Sequence, residues 1–98
     1  MRRGTTPTIT VTLDAEAITL DALYLTIAQY GETRIEKNLA DGSVDGTAIT
    51  FPLTQEDTLA LDQDAQAEIQ VRGRIGAHAF ASDVLVVSVD KILKDGEI

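Results

Sequence analysis

Along most of this chain apolar and polar side chains alternate one for one, the pattern that sends successive residues to opposite faces of a β-strand. In Thr8-Ile9-Thr10-Val11-Thr12-Leu13 the odd positions are apolar and the even ones are threonine, a β-branched residue suited to a half-buried sheet surface. Residues 22–30 repeat the scheme, with Leu23, Leu25 and Ile27 on one face and Tyr24, Thr26, Ala28 and Tyr30 on the other. Gly31 then offers a tight turn into Glu32-Thr33-Arg34-Ile35-Glu36-Lys37, whose one strong apolar anchor, Ile35, predicts an edge strand.

Gly42 and Gly46, both able to take positive φ, lead into a strand over residues 48–53 with Ile49, Phe51 and Leu53 pointing inward. Residues 65–75 place Ala67, Ile69, Val71 and Ile75 on one face, and Glu68, Gln70, Arg72 and Arg74 on the other. After a Gly76-Ala77 turn, residues 78–89 read as a last strand with a bulge near Ser82-Asp83. Its run Val84-Leu85-Val86-Val87 is apolar on both faces, which predicts cover on both sides.

Helical signal is confined to residues 54–60. Thr54 can cap a helical turn there, with Asp57 three residues later, and Leu59 or Leu61 must hold so short a helix by tertiary contact. Without a crossover helix the strands must pair antiparallel. About seven short strands with turn signals between them predict an all-β fold, an immunoglobulin-like antiparallel β-sandwich, with a small barrel as the alternative. A chain of 98 residues fits a single domain, 1–98.

Composition narrows the function classes. Sixteen acidic against eight basic residues give a net charge of −8, which disfavours binding to nucleic-acid phosphates or to an anionic membrane. No stretch approaches the roughly 18 apolar residues that a spanning helix needs. The basic start, Met1-Arg2-Arg3, runs into alternating Thr and Ile and does not read as a signal peptide. The absence of cysteine removes disulfides and thiolate metal sites and suits synthesis in a reducing cytoplasm.

Catalytic equipment is hard to find. His78 is the only histidine and lies beside a predicted hairpin, so no histidine cluster can hold a metal and a turn role accounts for it. Glu56-Asp57, Asp62/Asp64 and Asp41/Asp45 offer carboxylates to a hard cation, yet none fits a calcium-loop pattern, and capping and turn chemistry explain them. Ser43, Ser82 and Ser88 lie outside any nucleophile-elbow context, and the glycines form no phosphate or dinucleotide fingerprint. The expectation is a protein that is not an enzyme and needs no cofactor or metal.

Contact residues are the better candidates. Tyr24 and Tyr30 fall on the non-core face of their strand, where tyrosine combines apolar area with a polar tip. Arg72 and Arg74 share an outer face and could meet an acidic partner, although Glu32 and Glu36 offer them intramolecular pairing. Ile92, Leu93 and Ile98 follow the last strand and must either fold back or contact another subunit. A carbohydrate-binding module is the alternative, with Tyr24 and Tyr30 as its obvious aromatics.

Several segments carry a family resemblance: Met1-Arg2-Arg3-Gly4-Thr5-Thr6-Pro7-Thr8, Tyr24-Leu25-Thr26-Ile27 followed by Gln29, and Leu53-Thr54-Gln55-Glu56-Asp57-Thr58-Leu59. Ile69-Gln70-Val71-Arg72, Ala81-Ser82 and Val89-Asp90-Lys91-Ile92-Leu93-Lys94-Asp95-Gly96 continue it. With these the whole chain resembles small structural proteins encoded by phages and prophages of Gram-positive bacteria, including the immunoglobulin-like N-terminal domain of baseplate upper proteins. The resemblance implies a structural or assembly role in a tail or baseplate. Partners would be other phage structural proteins or copies of itself, met first in the bacterial cytoplasm and then in the virion. It carries no catalytic residues over, and the chain lacks the further C-terminal region of a full baseplate protein.

Overall fold

A computed structural model of the chain describes residues 1–14 and 19–98. Among the described residues eight strands follow one another as β1 (Thr8–Thr12), β2 (Ala22–Gln29), β3 (Glu32–Asn38), β4 (Ser43–Asp45), β5 (Ala48–Pro52), β6 (Ala65–Ile75), β7 (His78–Ala81) and β8 (Leu85–Val89). One short helix, α1 (Gln55–Leu59), and a 3-10 turn over Leu39–Asp41 interrupt them. The strands form two antiparallel sheets. The smaller runs β1-β5-β4 and the larger runs β3-β2-β6, with β7 and β8 sharing the far edge of β6. No strand pairing joins the two sheets among the described residues, so the fold is a sandwich and not a closed barrel.

The core lies where the two alternating patterns meet. Leu23, Leu25 and Ile27 from β2, and Ala67, Ile69 and Val71 from β6, join Ile49 and Phe51 from β5 of the smaller sheet and Leu53 just past it. Each large apolar side chain buried this way stabilises the fold by about 1.5–3 kcal/mol relative to leaving it in water. Gly73 continues the inward face of β6 for a steric reason: a Cβ there would approach Phe80 Cζ to 2.5 Å. Its missing side chain makes room for the Phe80 ring.

The expected edge at residues 32–37 is β3, with Ile35 buried beneath it. The expected capping box is also present. Thr54 Oγ1 accepts from the Asp57 N–H at 3.0 Å, while the Asp57 carboxylate accepts from the Thr54 N–H at 2.9 Å. Leu61, just past α1, enters the core. A second capping box, Asn38 with Asp41, starts the 3-10 turn and has no counterpart in the sequence reading.

Four expectations need correction. Tyr30 is not on strand β2; it takes φ 55° in the turn to β3, so the reversal begins one residue before Gly31. Gly42 is extended, at φ −106°, and is glycine because a Cβ would lie 2.9 Å from Ile49 and Phe51 atoms. Residues 78–89 form two strands. Arg72 pairs with Ala81 and Ile69 with Leu85, so three residues, 82–84, oppose two on β6. That is a bulge by count, and Ser82 fixes it: its Oγ accepts from the Val71 N–H at 3.0 Å and its own N–H donates to the Val71 carbonyl. Finally, the run Val84-Leu85-Val86 is not covered on both sides; these residues are 46%, 59% and 52% exposed.

Candidate interaction surface

The outer face of the larger sheet collects two of the expected contact types. Antiparallel register sets Tyr24 of β2 directly opposite Arg72 of β6, and Ala22 opposite Arg74. Thr26 and Glu36 face each other in the next row toward β3. Together with Gly73 and Ala79 these side chains line a depression of about 430 Å³. That volume lies in the range of small-molecule sites. Every lining residue nevertheless comes from the one sheet, so the depression has a floor and no opposing wall, which suits a flat protein contact better than an enclosed ligand.

The two arginines differ. Arg74 Nη1 donates to the Gly76 carbonyl at 2.8 Å and lies 3.7 Å from Asp21, so its intramolecular partner is Asp21 and not Glu32 or Glu36. The Arg72 guanidinium is exposed and has no hydrogen bond or ion pair among the described residues. Glu32 sits instead 3.8 Å from Arg34. A free arginine beside a tyrosine that is 47% exposed is a pairing enriched at protein contacts.

Tyr30 does not join this face. It lines a separate hollow with Arg3, Asp62, Ile92 and Leu93, so the two tyrosines form no shared aromatic platform. The C-terminal segment folds back over this end of the molecule. Arg3 pairs with Asp95, Arg2 donates to the Lys91 carbonyl at 2.7 Å, and Ile92 reaches Gly4. Gln55 brackets Ile98, donating to its carbonyl at 3.1 Å and accepting from its N–H at 2.8 Å. The Leu93 and Ile98 side chains still point to solvent.

Two positioning residues escaped the sequence reading. Gln29 is fully buried; its amide donates to the Asp62 carbonyl at 2.9 Å and accepts from the Asp62 N–H at 2.7 Å, fixing the segment after α1 to the end of β2. Its phase with Leu23, Leu25 and Ile27 is the signal that marks it as inward. Arg3 donates to the Leu61 and Leu59 carbonyls at 2.9 and 3.1 Å, and nothing in the local sequence announces that clamp.

Three of the loop carboxylates, Asp41, Asp57 and Asp62, are engaged by the fold. Asp57 lies 3.0 Å from Lys37, tying α1 to β3, and Asp62 lies 3.5 Å from Arg34. Burial raises the Asp57 carboxyl, but the Thr54 N–H and hydroxyl and the Lys37 ammonium more than offset this and hold it below the usual carboxylate value. Asp95 is likewise lowered, mainly by its hydrogen bond from Arg3. No group of three or more His, Cys, Asp or Glu side chains gathers into a cation site among the described residues. His78 is exposed at the start of β7. No helix among the described residues is long and apolar enough to cross a membrane. No family model, curated protein or solved structure matches the chain.

Proposed function

We propose that this protein is a structural or assembly module of phage origin, belonging to a tail or baseplate, that works through protein–protein contacts and carries out no chemistry. The observation that carries the binding reading is the exposed Tyr24–Arg72 pair on a flat sheet face, where the guanidinium has no partner among the described residues. An arginine left unpaired on a chain of net charge −8 suits an acidic or polar protein surface, to which it offers a planar, multidentate donor. The phage assignment rests on the segment resemblances that run from Met1 to Gly96.

Quantitative mass spectrometry of particles released by inducing the source bacterium's prophage tests the assignment. A copy number commensurate with the major virion proteins supports a structural role. Expression in the cell with absence from particles removes it from the virion. Affinity capture from the same lysate with the parent and with Arg72→Glu tests the face: the charge reversal should lower recovery of a specific phage partner by about tenfold, the scale of 1–2 kcal/mol at a hot spot.

A further inference from the structure

From the pairing of β8 we infer that the open edge of the larger sheet is a self-association site, through which two copies of this chain join antiparallel across a dyad at Leu85. This deepens the proposed function, resting on its reading of the chain as a contact module, and names the partner as a second copy.

The backbone shows which part of the edge is free. β8 pairs with β6 on one side. On its other side the first residues of the chain run parallel to its end: the Met1 nitrogen donates to the Ser88 carbonyl at 2.8 Å, Asp90 N–H to the Met1 carbonyl at 2.8 Å, and Arg3 N–H to the Asp90 carbonyl at 3.0 Å. Ser88 and Asp90 therefore turn their backbone groups outward, whereas Val89 turns its carbonyl inward to the Asp64 N–H. By the two-residue alternation of a strand, Val86 also turns its backbone groups outward, and no described segment covers it; Val84 lies just before β8, at the end of the bulge.

This edge lacks the usual protections. Residues 84–89 contain no charge and no proline, and Leu85 and Val86 are more than half exposed. Leu85 stands opposite Ile69, on the core side of the sheet, yet remains uncovered.

The partner follows from the register the first residues impose. With the Ser88 carbonyl and both Asp90 groups already engaged, an antiparallel partner is confined largely to Val86 and the residues just before it, with Val84 drawn into the ladder. A second copy satisfies that limit by symmetry. Val84 of each copy pairs with Val86 of the other, Leu85 meets its twin at the dyad, and Asp83 falls opposite an uncharged Val87. No like charges face each other in this register. The join would extend one sheet into the other and cover the exposed Leu85.

Sedimentation equilibrium of the intact chain from about 1 µM to about 1 mM tests the proposal, since a short apolar contact belongs in that affinity range. A concentration-dependent doubling of mass is expected. It should tighten severalfold in high salt, because screening relieves the repulsion between two chains of net charge −8. Val86→Pro removes an outward N–H not used in the ladder and should weaken association at least about tenfold. Leu85→Lys sets two like charges at the dyad and should leave a monomer. Unchanged far-UV circular dichroism shows that both variants fold. Arg72→Glu should associate like the parent.

A monomer throughout the range overturns the proposal, as does a dimer that survives both edge variants or is lost in Arg72→Glu. A monomer would leave the particle measurement, and with it the proposed function, standing.

Discussion

The two edges of the larger sheet meet solvent in opposite ways. On β3, the exposed residues Glu32 and Glu36 alternate with Arg34 and Lys37, and only Ile35 is buried. A charged strand of this kind discourages another strand from docking, since joining would desolvate charges without guaranteed partners. Lys37 is drawn instead to Asp57 in α1, and Arg34 to Asp62 just past it. β8 has none of this. Among the described residues its outward cover comes from Met1–Arg3, which engage Ser88 and Asp90 and leave Val86 uncovered. The contrast teaches that one sheet can carry a closed edge and an open one, and that the open one is recognised by what lies beside it as much as by its own residues.

The comparison breaks most severely if the shared core is damaged. Phe51 is fully buried in the smaller sheet, away from either edge, and Phe51→Ala should cost about 3–5 kcal/mol in chemical denaturation. Amide exchange should then accelerate at β3 and β8 together; acceleration at one edge alone would mean that the two edges do not depend on the same core. Gly73→Ala acts on one side. The new methyl group would collide with Phe80 and Leu23, costing about 1–3 kcal/mol by overpacking, and faster exchange should centre on β7 and its junction with β8 while β3 keeps its protection.

A smaller effect sharpens the closed edge. Asp57→Ala removes the carboxylate half of the α1 capping box and the partner of Lys37, and should lower stability by about 1 kcal/mol near neutral pH. Because the folded carboxyl is held below its unfolded value of about 3.9, its contribution is fully present above that pH and disappears as pH falls through the lower folded value. Denaturation of parent and variant should therefore converge in acid. A gap that stays constant down to the acid limit would show that the carboxylate charge contributes nothing.

Much of the architecture was legible because it depends on local periodicity. Strict alternation in residues 8–13, 22–29, 48–53 and 65–75 identified strands β1, β2, β5 and β6 and their inward faces, and Thr54 with Asp57 announced α1. The candidate contact face was legible only in pieces. Tyr24 and Arg72 are 48 positions apart by residue number, and their adjacency comes from the register of β2 against β6. Tyr30 was misplaced for the converse reason: its alternation continues that of β2, but the turn overrides it with a left-handed backbone.

By itself, then, the sequence determined an acidic chain of alternating strands with a Leu, Ile and Val core, a capped helical turn and no recognisable catalytic motif. Those properties follow from side-chain period, capping chemistry and charge, all of which act over a few residues. Tertiary structure decided which residues meet: the bracket between Gln29 and Asp62, the Arg3 clamp on the end of α1, the pairing of Tyr24 with Arg72, and the open stretch of β8. Each requires segments distant in the chain to be brought together, and a one-residue bulge at 82–84 exchanges the faces of every residue after it. The apolar run Val84–Val86 shows the division most clearly. Its composition predicts burial, and only the position of β8 at the rim of the sheet leaves it exposed.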